Sequence, residues 1–130
     1  MALKIRKNYS INFNPKKRMK KNIKFVIFHY TGMKSENLAI KRLISIQSQV
    51  AAHYLIKKNG YIINMVPDLY EAWHAGISAW GKEKSLNKSS IGIEITNPGH
   101  QFGYERFSKN QINSLINLSK ILKKKYKIKT

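Results

Sequence analysis

Residues 23–28 (IKFVIF) form a short, nearly continuous apolar run that stops abruptly at the polar sequence His29-Tyr30-Thr31-Gly32. Strands that face water on one side alternate apolar and polar residues, so an almost unbroken run is the pattern of a strand covered on both faces. Such a central strand would deliver His29 to its C-terminal end. The covers must then come from helices, and two are legible. Ser35 can cap a helix running through about residue 48, with Leu38, Leu43 and Ile46 facing the core. Ser108 and Gln111 make a capping box for a helix over 109–126, with Ile112, Leu115, Ile116, Leu122 and Tyr126 close to one face.

Further strands fill the middle of the chain. Ala51 to Ile56 and Tyr61 to Val66 are separated by Lys57-Lys58-Asn59-Gly60, whose Asn-Gly pair predicts a tight antiparallel hairpin. Tyr70 to Ala75 reads as strand or loop, and Gly76 to Ser89 as a polar loop containing Trp80. Ser90 to Thr96 (SIGIEIT) alternates, with Ile91, Ile93 and Ile95 on one face and Gly92, Glu94 and Thr96 on the other; Pro98 and Gly99 end it. Strands interleaved with helices predict an α/β fold, a single domain with a mixed central β-sheet flanked by helices. Residues 1–22 lack periodicity and read as a basic N-terminal arm, leaving 23–130 as the domain.

The chain has 130 residues, enough for one core, and no cysteine, which removes disulfides, thiolate ligands and a cysteine nucleophile. Strong metal ligands are limited to carboxylates and to His29, His53, His74 and His100. The 25 Lys and Arg against 6 Asp and Glu give +19, which favours polyanionic surroundings. Lysine, isoleucine and asparagine are abundant together, so the charge reads as a solvated surface ahead of a specific nucleic-acid face. No stretch has the apolar length of a signal peptide or a membrane span, which predicts a cytoplasmic product, or one of the cell envelope if a leader has been removed.

Two residues stand out chemically. A carboxylate inside SIGIEIT is costly to bury, so Glu94 must pair with a cation, face a wet cleft or act as an acid or base. His29, taken alone, reads as a hydrogen-bonded histidine near a core edge as readily as a ligand. His53, within a hairpin strand, reads as a structural hydrogen-bonding residue, and His100, after Pro98-Gly99, as a loop residue and not a ligand.

The blocks FVIFHYTG, AAHYLIKKNG, AWHAGISAWG and SIGIEITNPG, in this order and at these intervals, resemble the amidase-2 family of peptidoglycan amidases, which also includes peptidoglycan-recognition proteins. The resemblance covers residues 23–127. It implies a zinc-dependent N-acetylmuramoyl-L-alanine amidase acting on peptidoglycan fragments and muropeptides, with His29 as a zinc ligand and Glu94 as catalytic acid or base. It also places His74, Trp73 and Asn87 along the substrate cleft, and Tyr30 is grouped with them. Read by themselves, Trp73 is core or rim packing and His74 is divided between structure and substrate contact.

The resemblance is incomplete. The family's block of the type GHSDxxPxRKxDPG, which supplies a second zinc histidine, a zinc aspartate and a lysine, has no counterpart before the chain closes at Lys127-Ile128-Lys129-Thr130. One histidine does not hold a catalytic zinc, which takes three protein ligands. The expectation is a truncated amidase domain, weak or inactive by itself and prone to self-association through uncovered apolar surface. A metal-free muropeptide-binding module is the alternative.

Overall fold

The computed structural model describes residues 5–75, 79–80, 83–99, 103 and 105–129. Its main sheet has five strands: β1 (Ile5–Lys7), β3 (Phe25–Tyr30), β4 (Tyr54–Ile56), β5 (Ile62–Asn64) and β9 (Ser90–Ile95), in the order β1-β5-β4-β9-β3. β9 runs parallel to both β3 and β4, β4 and β5 form the expected antiparallel hairpin, and β1 joins β5 in parallel. The sheet is therefore mixed. Two small ribbons lie outside it: β2 (Phe13–Asn14) with β6 (Glu71–Ala72), and β7 (Ala79–Trp80) with β8 (Glu83–Lys84).

β3 is not the central strand that the apolar run suggested: β4 stands in the middle of the five, and β9 lies between it and β3. Among the described strands β3 touches only β9 and forms the border of the sheet, with most of its side chains half-buried and Phe28 52% exposed. The apolar run reports the hydrophobicity of its surroundings on both faces and says nothing about whether a neighbour pairs along each side.

α2 (Lys109–Tyr126) begins at Ser108 with the capping box in place and covers one face. Its buried ridge is Gln111, Leu118, Leu122 and Tyr126, packed on Ile91, Ile93 and Ile95 of β9 and on Tyr54, Ile56 and Ile62. Ile112 and Ile116, expected inside, are nearly half exposed, because the ridge through positions 111, 118 and 122 turns them away.

α1 (Glu36–Ile44) covers the other face, with Leu43 packed on Leu55 and Met65. Ser35 caps it as expected, accepting from the Leu38 amide. The helix stops at Ile44, before residue 48, because other groups take its terminal carbonyls. Ser10 Oγ donates to Leu43 O at 2.5 Å, and Asn12 Nδ2 donates to Ser45 O and Val50 O at 2.7 Å each. Ser45 is extended, and a single turn of tighter helix follows over Ile46–Ser48. Ala39 and Leu43, four residues apart, form the buried stripe, which leaves Leu38 and Ile46 on the solvent side. No helix among the described residues is long and apolar enough to cross a membrane.

Candidate active site

In β9 the odd-numbered isoleucines point to α2, so Ser90, Gly92 and Glu94 point to the other face. β3 runs parallel to it in register, with His29 opposite Glu94. Paired strands lie about 4.8 Å apart, so the two side chains stand together on one face near the C-terminal ends of their strands. That edge is where ligands collect in α/β sheets.

Glu94 stands over a narrow slot lined by Thr31, Met33, Ala39, Arg42 and Leu43. Burial drives its carboxyl up from 4.5 to about 7, against a smaller downward pull from Arg42. Its Oε2 is buried and meets no hydrogen-bond partner among the described residues. An ion pair satisfying both oxygens, one of the sequence alternatives, is thus not what holds this group. A carboxyl that changes charge near neutrality is suited to taking and returning a proton.

His29 is half-buried, which lowers its pKa, and its Nε2 lies 3.0 Å from His74 Nδ1. The protons along this chain can be placed. Ser90 Oγ donates its only proton to Leu86 O at 2.5 Å, so it accepts from His74 Nε2 at 2.9 Å. Burial, reinforced by His53 and His29, lowers the His74 pKa to about 3 and keeps the ring neutral. His74 Nδ1 therefore carries a lone pair and accepts from His29 Nε2–H, which leaves Nδ1 as the basic nitrogen of His29, without a hydrogen-bond partner among the described residues.

Gly92 makes this arrangement possible. A Cβ there would lie 2.4 Å from His74 Cγ, so only glycine lets the ring lie against the strand. Asn87 anchors the same segment, its Oδ1 accepting from the backbone amides of His74 at 3.2 Å and Ala75 at 2.8 Å. The described contacts of its side chain are with that loop, while its carbonyl accepts from Arg18. Trp73 is 38% exposed at the rim, its backbone bonded to Asn12 and Ala51. Tyr30 is not brought to Glu94: it pairs with Ile95 on the α2 face, and its ring lies close to Gly32 and Gly99. His100 lies outside the described residues.

His53 is fully used in structure. Its Nε2 donates to Tyr70 O at 2.7 Å and its Nδ1 accepts from Gly92 N–H at 3.0 Å. Burial and the nearby Arg18 push its pKa to about 3. Arg18 itself, lost to sequence reading within a run of cations, donates to Asp68 O at 2.8 Å and to Asn87 O at 2.9 Å. Ser90 and Gly92 were the other residues missed. Two small residues alternating with Glu94 in a strand otherwise made of isoleucine are the signal that something packs closely there.

Among the described residues no three His, Asp or Glu side chains come together as a metal site. One free histidine nitrogen and one unpaired carboxylate oxygen do not match the three ligands of a catalytic zinc. The described donor set therefore does not fit a tightly held ion.

Known proteins carry the same architecture. AmiD, the N-acetylmuramoyl-L-alanine amidase of Escherichia coli (strain K12), is 37% identical over 119 residues, covering 82% of this chain and 42% of AmiD. The 1,6-anhydro-N-acetylmuramyl-L-alanine amidase AmpD of Haemophilus influenzae is 36% identical over 80 residues, 62% of this chain and 41% of that protein. The chain thus spans less than half the length of these relatives. In structure it resembles AmpDh3 from Pseudomonas aeruginosa, with a TM-score of 0.76 and 30% identity over 89% of this chain and 49% of the other. It also matches AmiD in complex with anhydro-N-acetylmuramic acid-L-Ala-D-γ-Glu-L-Lys, with a TM-score of 0.73 and 37% identity over 83% and 46% of the two chains. The sequence profile described as N-acetylmuramoyl-L-alanine amidase matches residues 19–130, and by that match over most of its length this chain belongs to the amidase-2 family of N-acetylmuramoyl-L-alanine amidases.

Proposed function

We propose that this chain provides the substrate-facing sheet of a peptidoglycan amidase that hydrolyses the amide between the lactyl group of N-acetylmuramic acid and L-alanine. The observation that carries the reading is Glu94: a desolvated carboxyl with a pKa of about 7, set in register beside His29 where two parallel strands end. In this reading deprotonated Glu94 takes a proton from the water that attacks the amide carbonyl. It then returns that proton to the leaving nitrogen of L-alanine. His29 presents its Nδ1 lone pair to the same place, and His74, held by Ser90, keeps it pointed there.

Zinc dependence enters as part of the proposal because the family is generally zinc-dependent. His29 Nδ1 is the one described nitrogen free to ligate, and no step is assigned to the metal. The substrate class is a muropeptide, by analogy with the ligand bound to AmiD. Such fragments are met in the cytoplasm or in the cell envelope, and the reaction would contribute to cell-wall degradation or turnover.

Release of stem peptide from a purified muropeptide, followed by mass spectrometry, tests the reading. Turnover abolished by Glu94→Gln supports it, and no turnover at any metal loading overturns it for this chain. A second reading, a metal-free muropeptide-binding module, is favoured by the incomplete donor set. Saturable binding unaffected by a chelator, without hydrolysis, would establish it.

A further inference from the structure

Ser90 opens β9 and is fully buried. Four positions separate it from Glu94, about 13 Å along an extended strand, so its hydroxyl reaches no group that reacts at the strand ends. The hydrogen bonds that start there nevertheless run to His29, and one carbonyl fixes their direction. Ser90 Oγ and Leu86 O are 2.5 Å apart. A carbonyl oxygen only accepts, and two oxygens that close repel unless a proton lies between them, so the hydroxyl donates to Leu86. In a neutral His74 the remaining bonds follow. Its Nε2, 2.9 Å from Ser90 Oγ, carries the ring proton, and its Nδ1, 3.0 Å from His29 Nε2, accepts. Both ring nitrogens of His74 are then used, and neither is left for a substrate.

The turn that supplies this carbonyl also grips the backbone of His74. Leu86–Lys88 is a single tight helical turn, and Leu86 O accepts from Ser89 N–H at 3.1 Å as well, which keeps it in place. Asn87, the next residue, accepts from the His74 and Ala75 amides. Neighbouring residues thus hold both parts of His74, Leu86 its ring through Ser90 and Asn87 its main chain.

We propose that Ser90 is a positioning residue that selects the tautomer of His29 through His74, so that His29 offers the cleft a lone pair and not an N–H. Without the Ser90 hydroxyl, an N–H on His74 Nε2 would be buried with no acceptor, which is unfavourable. The proton does better on Nδ1, from which it can be donated to His29 Nε2. That reversal obliges a neutral His29 to carry its own proton on Nδ1, and the cleft then meets a donor in place of a base. Each ring moves one proton from Nε2 to Nδ1 and no heavy atom has to shift. The folded backbone is therefore compatible with either polarity, and the hydroxyl decides between them.

The effect on turnover rests on the amidase reading, whereas the tautomers themselves do not. Every contact in the relay lies inside the described sheet and the loop packed on it.

Nitrogen-15 NMR of the histidines in the whole chain, recorded at pH 8 with a chelator and without substrate, tests it. Protons are expected on Nε2 of both His29 and His74, with both Nδ1 atoms bare. In Ser90→Ala protons should appear on Nδ1 of both rings, and Ser90→Thr, which restores the hydroxyl, should return them to Nε2. A wild-type His29 protonated on Nδ1 overturns the proposal, whether or not the variants fold, as does an unchanged pattern in a folded Ser90→Ala chain. On a purified muropeptide, Ser90→Ala should lower kcat roughly 10- to 100-fold, as loss of an orienting partner does, with KM within a few-fold and most of the loss recovered by Ser90→Thr. Reversed tautomers with undiminished kcat overturn the positioning role. The expected tautomers in a chain that never turns over support the relay and strike the amidase reading instead.

Discussion

The two faces of β9 differ completely although they belong to one six-residue strand. Towards α2, Ile91, Ile93 and Ile95 are buried against Leu118 and Leu122 and have only packing to do. Towards the cleft, Ser90, Gly92 and Glu94 meet His74, His29 and solvent, and each is there for a specific chemical reason. The first face stabilises the fold and the second draws on that stability. Glu94 is buried with one oxygen unpaired, and His74 stays neutral well below its usual pKa.

The largest expected effect breaks the comparison on the cleft side. Glu94→Gln removes the proton carrier and should lower stem-peptide release by about 10²- to 10⁴-fold while leaving muropeptide binding within a few-fold. The same change should stabilise the fold at alkaline pH. The folded carboxyl titrates near 7 and the unfolded one near 4.5, so between these values the native state holds the extra proton and stability falls as pH rises. At about 1.4 kcal/mol per pH unit, the penalty removed at pH 8 is at most about 3 kcal/mol, readable by urea unfolding. No stabilisation at pH 8 would mean the carboxyl is better solvated than the structure shows.

On the packing side, Ile93→Ala should cost about 3 kcal/mol in the same assay. Any activity that remains should keep the pH profile set by Glu94, and a displaced profile would show that the faces are coupled. Gly92→Ala joins the two effects. The added methyl has no room beside the His74 ring, so roughly 2 kcal/mol of overpacking is expected. The proton-coupled pair of His29 and His74 should also be lost from nitrogen NMR spectra. The smallest effect concerns His53, which accepts from the Gly92 amide. Its folded pKa is near 3 and its unfolded value near 6.5, so the unfolded chain binds the extra proton below 6.5. The contribution of His53 should fall by about 1–2 kcal/mol between pH 7 and pH 5, opposite in sign to that of Glu94, and go on falling towards pH 3. His53→Asn should remove that contribution and leave the similar one of His74, so the acid-side slope should become shallower without disappearing.

Local signals carried most of the fold. The Ser108–Gln111 capping box placed α2 over Lys109–Tyr126, and Asn59-Gly60 placed the hairpin, because each is settled within a few residues. What failed depended on distant partners. α1 ends early because Ser10 and Asn12 take carbonyls more than thirty residues away, and β3 lies at the border because pairing along a strand leaves no trace in its hydrophobicity. At the candidate site, His29 and Glu94 were legible from strand ends and from the cost of a buried carboxylate. The link from Leu86 through Ser90 and His74 was not, because it joins three segments.

Arg18 gives the basic N-terminal segment a meaning beyond charge. Its guanidinium, well buried and with its pKa lowered to about 10, clasps the carbonyls of Asp68 and Asn87, while Asn12 holds the turn after α1. These residues work as a buckle that draws the loop bearing His74 against the sheet. Trimming the chain at the start of its apolar core would open that buckle, so shortened variants would lose the geometry around His29 before they lost their helices.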